Sequence, residues 1–176
     1  MSKDPQQDSS QVGDSDPVLM EIKGLMMDPV SNVPIVVLRN EESNQFLPIW
    51  IGVFEANSIA LQLEDVEPPR PMTHDLSVAL LEAVGVAIEK VVVTDLVDGT
   101  FYAEIHLRFQ DRTRKVDSRP SDAIALALRV DAPVYVSMDV LEKARADDRT
   151  EQLTKDEKIR KWLEDLDPDD LGEYTM

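Results

Sequence analysis

The dipeptide Asp98-Gly99, set between two long β-prone runs, constrains this chain more than any other feature. Residues 86–96 and 100–110 are rich in β-branched and aromatic side chains. An Asp-Gly pair between such runs supplies the two positive-φ positions of a tight hairpin turn, whose twist matches that of paired strands. In the second run Phe101, Ala103, Ile105, Leu107 and Phe109 alternate with Tyr102, Glu104, His106, Arg108 and Gln110. That period of two predicts a half-buried antiparallel strand with His106 on its solvated face. Residues 112–118 add a further strand after a turn at Gln110-Asp111.

The N-terminal half reads the same way. Residues 19–27, 33–39 and 46–52 are strand-like and joined by polar turns, which predicts an antiparallel meander. Pro48 places the third strand at an edge or a bulge. Residues 53–66 carry Ala56, Ile59, Ala60, Leu63 and Val66 at helical spacing. Pro68, Pro69 and Pro71 then hold the chain extended. Thr73 is the expected N-cap of a helix from His74 to Val84 with an apolar face of Leu76, Leu80, Ala83 and Val84, ended by Gly85. Ser118 is the expected cap of a helix over 119–130, with Pro120 in its first turn and Ile124, Ala127 and Leu128 on its core face. A short strand at 134–138 and a short helix at 139–145 follow.

Residues 1–17 hold almost no apolar side chain and are expected to be a disordered tail. Residues 18–144 form the expected single compact domain, of α+β class, with a mostly antiparallel β-sheet and helices packed on it. Residues 145–176 are expected to be an acidic linker and a C-terminal amphipathic helical arm whose stripe is Ile159, Trp162, Leu163 and Leu166. That stripe and the apolar segment 46–51 are the expected contacts of a homo-oligomer, most simply a two-fold dimer. The chain has no cysteine, which excludes disulfides, thiolate metal sites and a cysteine nucleophile. No apolar run approaches the ~18 residues of a membrane span, and no secretory signal is present, so the expectation is a cytoplasmic protein without a membrane partner. Thirty-five acidic side chains against eighteen basic ones give a net charge of −17, an excess spread along the chain. Such a surface repels phosphate backbones at long range. It fits a salty cytoplasm or an ordinary acidic protein equally.

Two polar clusters carry candidate chemistry. Arg70-Pro71-Met72-Thr73-His74-Asp75 leads into a helix N-terminus, where free N–H groups and the dipole attract anions. The dipole there favours a neutral imidazole able to accept a proton, and Arg70 can grip a phosphate with its fork. The same residues are also what an ordinary capped helix start contains. Asp117-Ser118-Arg119-Pro120-Ser121-Asp122 leads into the next helix N-terminus. Paired carboxylates there can bind Mg²⁺ and generate a hydroxide nucleophile. The alternative is an Arg119–carboxylate pair with capping. Glu55 stands in a first helical turn, which the dipole alone explains. Trp50 and Trp162 read as packing residues. The basic run Arg112-Thr113-Arg114-Lys115 reads as a charged strand edge that discourages aggregation.

The segments at 46–64, 68–76, 97–107 and 117–129 occur in an order that resembles the bifunctional nuclease family of bacteria and plants. The resemblance covers about residues 18–144. It implies an α+β fold, homo-oligomeric assembly and cleavage of both DNA and RNA. Glu55, Arg70, Thr73, His74, Asp75, Asp117, Arg119, Ser121 and Asp122 match the family's polar motif positions. As a metal-assisted phosphodiesterase, the chain is expected to hold Mg²⁺ or Mn²⁺ on Asp117, Asp122 and Glu55. His74 is then the general base, oriented by Asp75, Arg70 and Arg119 stabilise the phosphorane-like charge, and Arg70, Thr73 and Ser121 bind the substrate. The rival expectation is a non-catalytic oligomeric adaptor that binds a protein partner and in which each carboxylate is fully paired with an arginine.

Overall fold

The computed structural model describes residues 16–146 and Thr150. The expected N-terminal tail falls almost wholly outside the described residues, as do most of the acidic linker and the helical arm with Trp162. Among residues 16–146, seven strands and four helices follow in the order β1 (Val18–Met27), β2 (Pro34–Asn40), β3 (Gln45–Trp50), α1 (Val53–Leu63), α2 (Thr73–Ala83), β4 (Ala87–Val97), β5 (Thr100–Phe109), β6 (Arg112–Ser118), α3 (Pro120–Val130), β7 (Val134–Val136) and α4 (Met138–Arg145). The fold is α+β, as the sequence predicts.

The strands form one sheet in the order β3-β2-β1-β7-β4-β5-β6. Two antiparallel meanders are thus laid back to back, with the short β7 inserted between their first strands. β7 runs antiparallel to β1 and parallel to β4. The Asp98-Gly99 turn is a two-residue hairpin: Val97 pairs with Thr100, and both turn residues have positive φ, 49° and 74°, as a primed turn requires. Pro48 lies on β3 at the sheet edge, where a missing N–H costs no ladder bond.

Val91, Val93, Ala103 and Ile105 face one side of the sheet, and α3 covers them with Ile124, Ala125 and Ala127 in the same buried cluster. α1 joins that cluster through Ala56 and Ile59. Leu47 and Ile49 are buried there too, so much of the 46–51 segment expected at a subunit interface is occupied by this chain's own core.

α2 differs from expectation. Thr73 is its first helical residue, Met72 is the N-cap, and no residue of the helix is buried. Leu76, Leu80 and Val84 are 53%, 60% and 62% exposed. α3, by contrast, starts one residue later than expected, with Arg119 as N-cap and no side-chain cap. Val66 lies beyond α1 and is exposed, because Asp65 takes a left-handed conformation after the helix end.

A candidate active site at three helix N-termini

Each of α1, α2 and α3 carries an acid at its third position: Glu55, Asp75 and Asp122. An acid there complements the helix dipole and can reach back to the N-cap amide. Asp75 does so, with Oδ2 accepting from Met72 N–H at 2.6 Å. Glu55 folds back over Gly52, and a Cβ at that position would collide with Glu55 Oε2. Residue 52 therefore has to lack a side chain for Glu55 to hold this position.

Arg119 ties two of these helix starts together. Its Nε and Nη2 donate to Asp122 Oδ2 and Oδ1 at 2.7 and 3.0 Å, and its Nη1 lies 2.8 Å from Glu55 Oε1. Asp122 Oδ1 also meets His74 Nε2 at 3.1 Å. The other ring nitrogen of His74, Nδ1, is 2.8 Å from Ser58 Oγ. Ser58 Oγ in turn accepts from Arg129 Nη2 at 3.1 Å. Arg129 also donates to Asp75 Oδ1 at 2.5 Å and to the Ala125 carbonyl at 2.7 Å. One assignment satisfies every atom: Arg129 donates to Ser58, Ser58 donates to Nδ1, and the Nε2–H donates to Asp122. The result is one connected network from Glu55 through Arg119, Asp122, His74, Ser58 and Arg129 to Asp75.

Burial and pairing pull the carboxyls in opposite directions. Burial would raise the Asp122 carboxyl, but the hydrogen bonds from Arg119 and His74 outweigh it, so its pKa is lowered. Asp75 follows the same pattern, with Arg129 and the Met72 amide overcoming burial. The Arg119 guanidinium is raised by its bonds to Asp122 first and Glu55 second. The Arg129 side chain is only 6% exposed, whereas that of Arg119 is 64% exposed. Arg129 is thus the inner, structural member of the network and Arg119 the outward one.

The structure brings together Glu55, His74, Arg119 and Asp122 and seats Ser121 beside them, buried. It does not bring Asp117 to them. Asp117 pairs directly across from Glu104 on β5, and directly opposed residues point to the same face of a sheet. That face is opposite the one α3 covers, because the next pair along, Ala103 and Ser118, points the other way. Asp75 does not orient His74 but pairs with Arg129. Both ring nitrogens of His74 have protein partners, Ser58 and Asp122. Arg70 and Thr73 are exposed, and Thr73 contributes only its carbonyl, to Ser77 Oγ at 2.8 Å. Ser58 and Arg129 escaped the sequence reading. Arg129 reads as an ordinary cation in a last helical turn, and Ser58 lies on the buried face of α1 between Ala56 and Ile59, where a lone hydroxyl gives no periodic signal.

Among the described residues no group of three or more His, Asp or Glu side chains is arranged to hold a metal ion. The position between the Glu55 and Asp122 carboxylates is filled by the Arg119 guanidinium. As arranged, this donor set does not fit the Mg²⁺ or Mn²⁺ expected on Asp117, Asp122 and Glu55.

Arg119, Pro120 and Ser121 line a cleft of about 370 Å³ together with Gly52, Trp50 and the Gly99-Thr100 end of the hairpin. The first turns of α1 and α3 both open onto it. In α3 the intrahelical ladder begins with Ala123 N–H to the Arg119 carbonyl, which leaves the Ser121 and Asp122 amides ahead of it. Unpaired amides at a helix start favour an anion.

Fold and site together define an α+β domain with an arginine-centred cluster where three helix starts meet. The chain belongs to the bifunctional nuclease domain family, whose model matches residues 36–149. It is 41% identical over 161 residues to an uncharacterised protein of Mycobacterium tuberculosis strain H37Rv, covering 86% of this chain and 96% of the relative. It is 30% identical over 115 residues to bifunctional nuclease 1 of Oryza sativa subsp. japonica, covering 64% of this chain and 35% of the relative. Bifunctional nuclease 2 of the same plant is 30% identical over 108 residues, 58% of this chain and 33% of its own length. No helix among the described residues is long and apolar enough to cross a membrane.

Proposed function

We propose that this protein is a nuclease that hydrolyses phosphodiester bonds of DNA and RNA, with Arg119 as the residue that contacts the phosphate. The observation that carries this reading is the position of Arg119, at the mouth of the cleft and fixed by Asp122 and Glu55. A guanidinium has five N–H donors. Nε and one donor from each Nη are committed to the two carboxylates, and each Nη keeps one further N–H. Phosphoryl transfer asks chiefly for positioning and stabilisation of charge on the phosphoryl oxygens. Arg119 and the Ser121 and Asp122 amides supply that stabilisation. Asp122 and Glu55 hold the guanidinium, His74 and Ser58 hold Asp122, and Arg129 with Asp75 holds Ser58 and the start of α2. All of these steps run through the chain's own residues.

Cleavage of single- and double-stranded DNA and RNA, by wild type and Arg119→Ala prepared in parallel, tests the proposal. The expected result is a loss of about 100-fold or more, the typical cost of removing one charge-stabilising donor. Arg119→Lys is expected to rescue little, since an ammonium cannot span two carboxylates in a planar fork. Equal rates for wild type and Arg119→Ala would overturn it.

A second reading is favoured by one observation. Every carboxylate of the network already accepts from an arginine, and Glu55, Asp75 and Asp122 outnumber Arg119 and Arg129. A network of that kind also suits a non-catalytic adaptor that assembles with itself and binds a protein partner. Absence of cleavage by wild type under all ionic conditions, with Mg²⁺, Mn²⁺ or chelator, is the outcome that selects it.

A further inference from the structure

Among the described residues Phe54 is the most exposed aromatic side chain, 88% exposed in the first turn of α1. Packing in the core does not explain a phenylalanine there. Its neighbours do. Phe54 directly precedes Glu55, which grips Arg119. It also stands one helical turn before Ser58, on the same side of α1, and Ser58 meets His74. The ring therefore borders the row formed by Arg119, Asp122 and His74. A second ring lies inside the cleft beside Arg119. β6 ends at Ser118, opposite Ala103 of β5. Phe101, two residues earlier on β5, shares the helix-bearing face of Ala103. It pairs with Leu96 on one side and has no β6 residue on the other. The space a neighbouring strand would fill belongs to the cleft of about 370 Å³, whose lining also includes Ile51 and Pro120. Trp50 lines the same cleft, but it packs with Ile35 and Val37, and its ring N–H donates to Asp28 at 3.0 Å. Phe101, partly buried, is therefore the ring turned to the cleft.

We infer that Phe54 and Phe101 each stack a base of an unpaired nucleic-acid strand, the two bases being those on either side of the phosphate held by Arg119. The assignment rests on the nuclease reading and narrows its substrate class. With a net charge of −17, the protein repels a long run of phosphates. Attraction then has to come from short-range contact with a few nucleotides. Aromatic rings supply it whatever the base and whatever the sugar, which suits one site acting on both DNA and RNA. In a duplex both faces of each base are covered by its neighbours, and only a nucleotide out of the stack offers a face to a ring. A cleft at the lower end of the range for small-ligand sites admits one nucleotide and no base pair. The substrate is therefore single-stranded DNA or RNA, or an unpaired segment of a folded RNA.

Binding of a short, hydrolysis-resistant phosphorothioate oligonucleotide carrying 2-aminopurine tests this, read as fluorescence anisotropy and as quenching of the 2-aminopurine on stacking. The full chain is expected to bind the single strand about 10-fold or more tightly than its duplex or the same strand with abasic sites. Phe54→Ala is expected to lose about 10-fold in affinity and part of the quenching. Phe54→Leu is expected to recover little, because it restores apolar area without a π-face, whereas Phe54→Tyr is expected to bind as wild type does. These variants keep the fold, since Phe54 is exposed. Phe101 packs against the core, so Phe101→Leu, which keeps the apolar contact, is the variant there. Circular dichroism verifies its fold, and a loss of the same order is expected. Arg119→Ala separates this assignment from the reading it rests on. If Arg119→Ala weakens binding but the abasic strand binds wild type as tightly as the base-bearing one, the phosphate contact stands and the stacking fails. If affinity and quenching depend on Phe54 while wild type cleaves nothing, the stacking stands and the nuclease reading fails. No binding of the single strand by wild type, or binding and quenching unchanged in both Phe54→Ala and Phe101→Leu, would each overturn the inference.

Discussion

The two faces of the β4–β6 meander hold similar residues arranged to opposite ends. On the helix side, His74, Glu55, Asp122 and Arg119 converge, and each functional atom of the ring and guanidinium meets a partner. On the bare side, His106, Glu104, Asp117, Lys115 and Lys90 stand in rows. Glu104 Oε2 is 3.4 Å from His106 Nε2, and that nitrogen is buried with no hydrogen-bond partner among the described residues. The difference is geometric. Side chains on one face of a sheet project side by side, about 5 Å apart, whereas helix starts aim side chains from several directions at one point. Composition alone therefore does not make a site.

Removing the inner arginine is expected to break the comparison most severely. Arg129→Ala deletes a buried guanidinium and leaves Asp75 and Ser58 without it. A loss of roughly 3 kcal/mol is expected, at the lower end of the range for breaking a buried ion pair because Asp75 is partly exposed. Denaturant unfolding measures it, and a loss under about 1 kcal/mol would contradict the inner role of this residue.

Gly52→Ala is expected to act more locally. The new Cβ occupies the place of the Glu55 carboxylate, which has to swing away from Arg119. The stability cost is expected to be about 1 kcal/mol or less, since Arg119 is exposed, while the cleavage rate falls about ten-fold. Unchanged cleavage would show that Glu55 does not hold Arg119 in place for the reaction.

The bare face gives a pH signature instead. Burial lowers the pKa of His106, and Lys115 and Lys90 lower it further, with Glu104 opposing. Its folded pKa thus lies below the ordinary value of 6.5. As pH falls below about 6.5 the unfolded chain takes up the proton first, so stability is full above that pH and declines as pH drops toward the folded value. The midpoint temperature is expected to fall between pH 7.5 and pH 5.5, and His106→Gln is expected to flatten that fall. An unaltered slope in the variant would contradict the buried, neutral state of His106. The smallest expected effect is from divalent ions: because Arg119 fills the place between Glu55 and Asp122, Mg²⁺ and a chelator are expected to give the same unfolding midpoint.

Much of this was legible in the sequence, and what was not has identifiable causes. Strand periodicity, the Asp-Gly turn and Gly85 located both meanders, since each is a local signal. The meeting of His74 with Asp122 was also foreseeable, because both follow an extended segment into a helix start. Asp117 was misplaced by a question of parity: one residue along a strand reverses the face, and sequence proximity to Asp122 conceals that. His106 was expected on a solvated face, yet it is buried, at a register position between Lys90 and Lys115 on the neighbouring strands. α2 was expected to bury Leu76, Leu80 and Val84, and periodicity could mark that stripe without showing which surface covers it.

The central claim is that the helix-start cluster, and not the bare strand face, receives the phosphate. Amide chemical-shift mapping with a hydrolysis-resistant phosphorothioate oligonucleotide tests it most directly. The account predicts the largest changes at Gly52, Gly99, Arg119, Ser121 and Asp122, and their loss in Arg119→Ala. Changes centred on Lys90, Glu104, His106 and Lys115, with residues 119–122 unmoved, would contradict it.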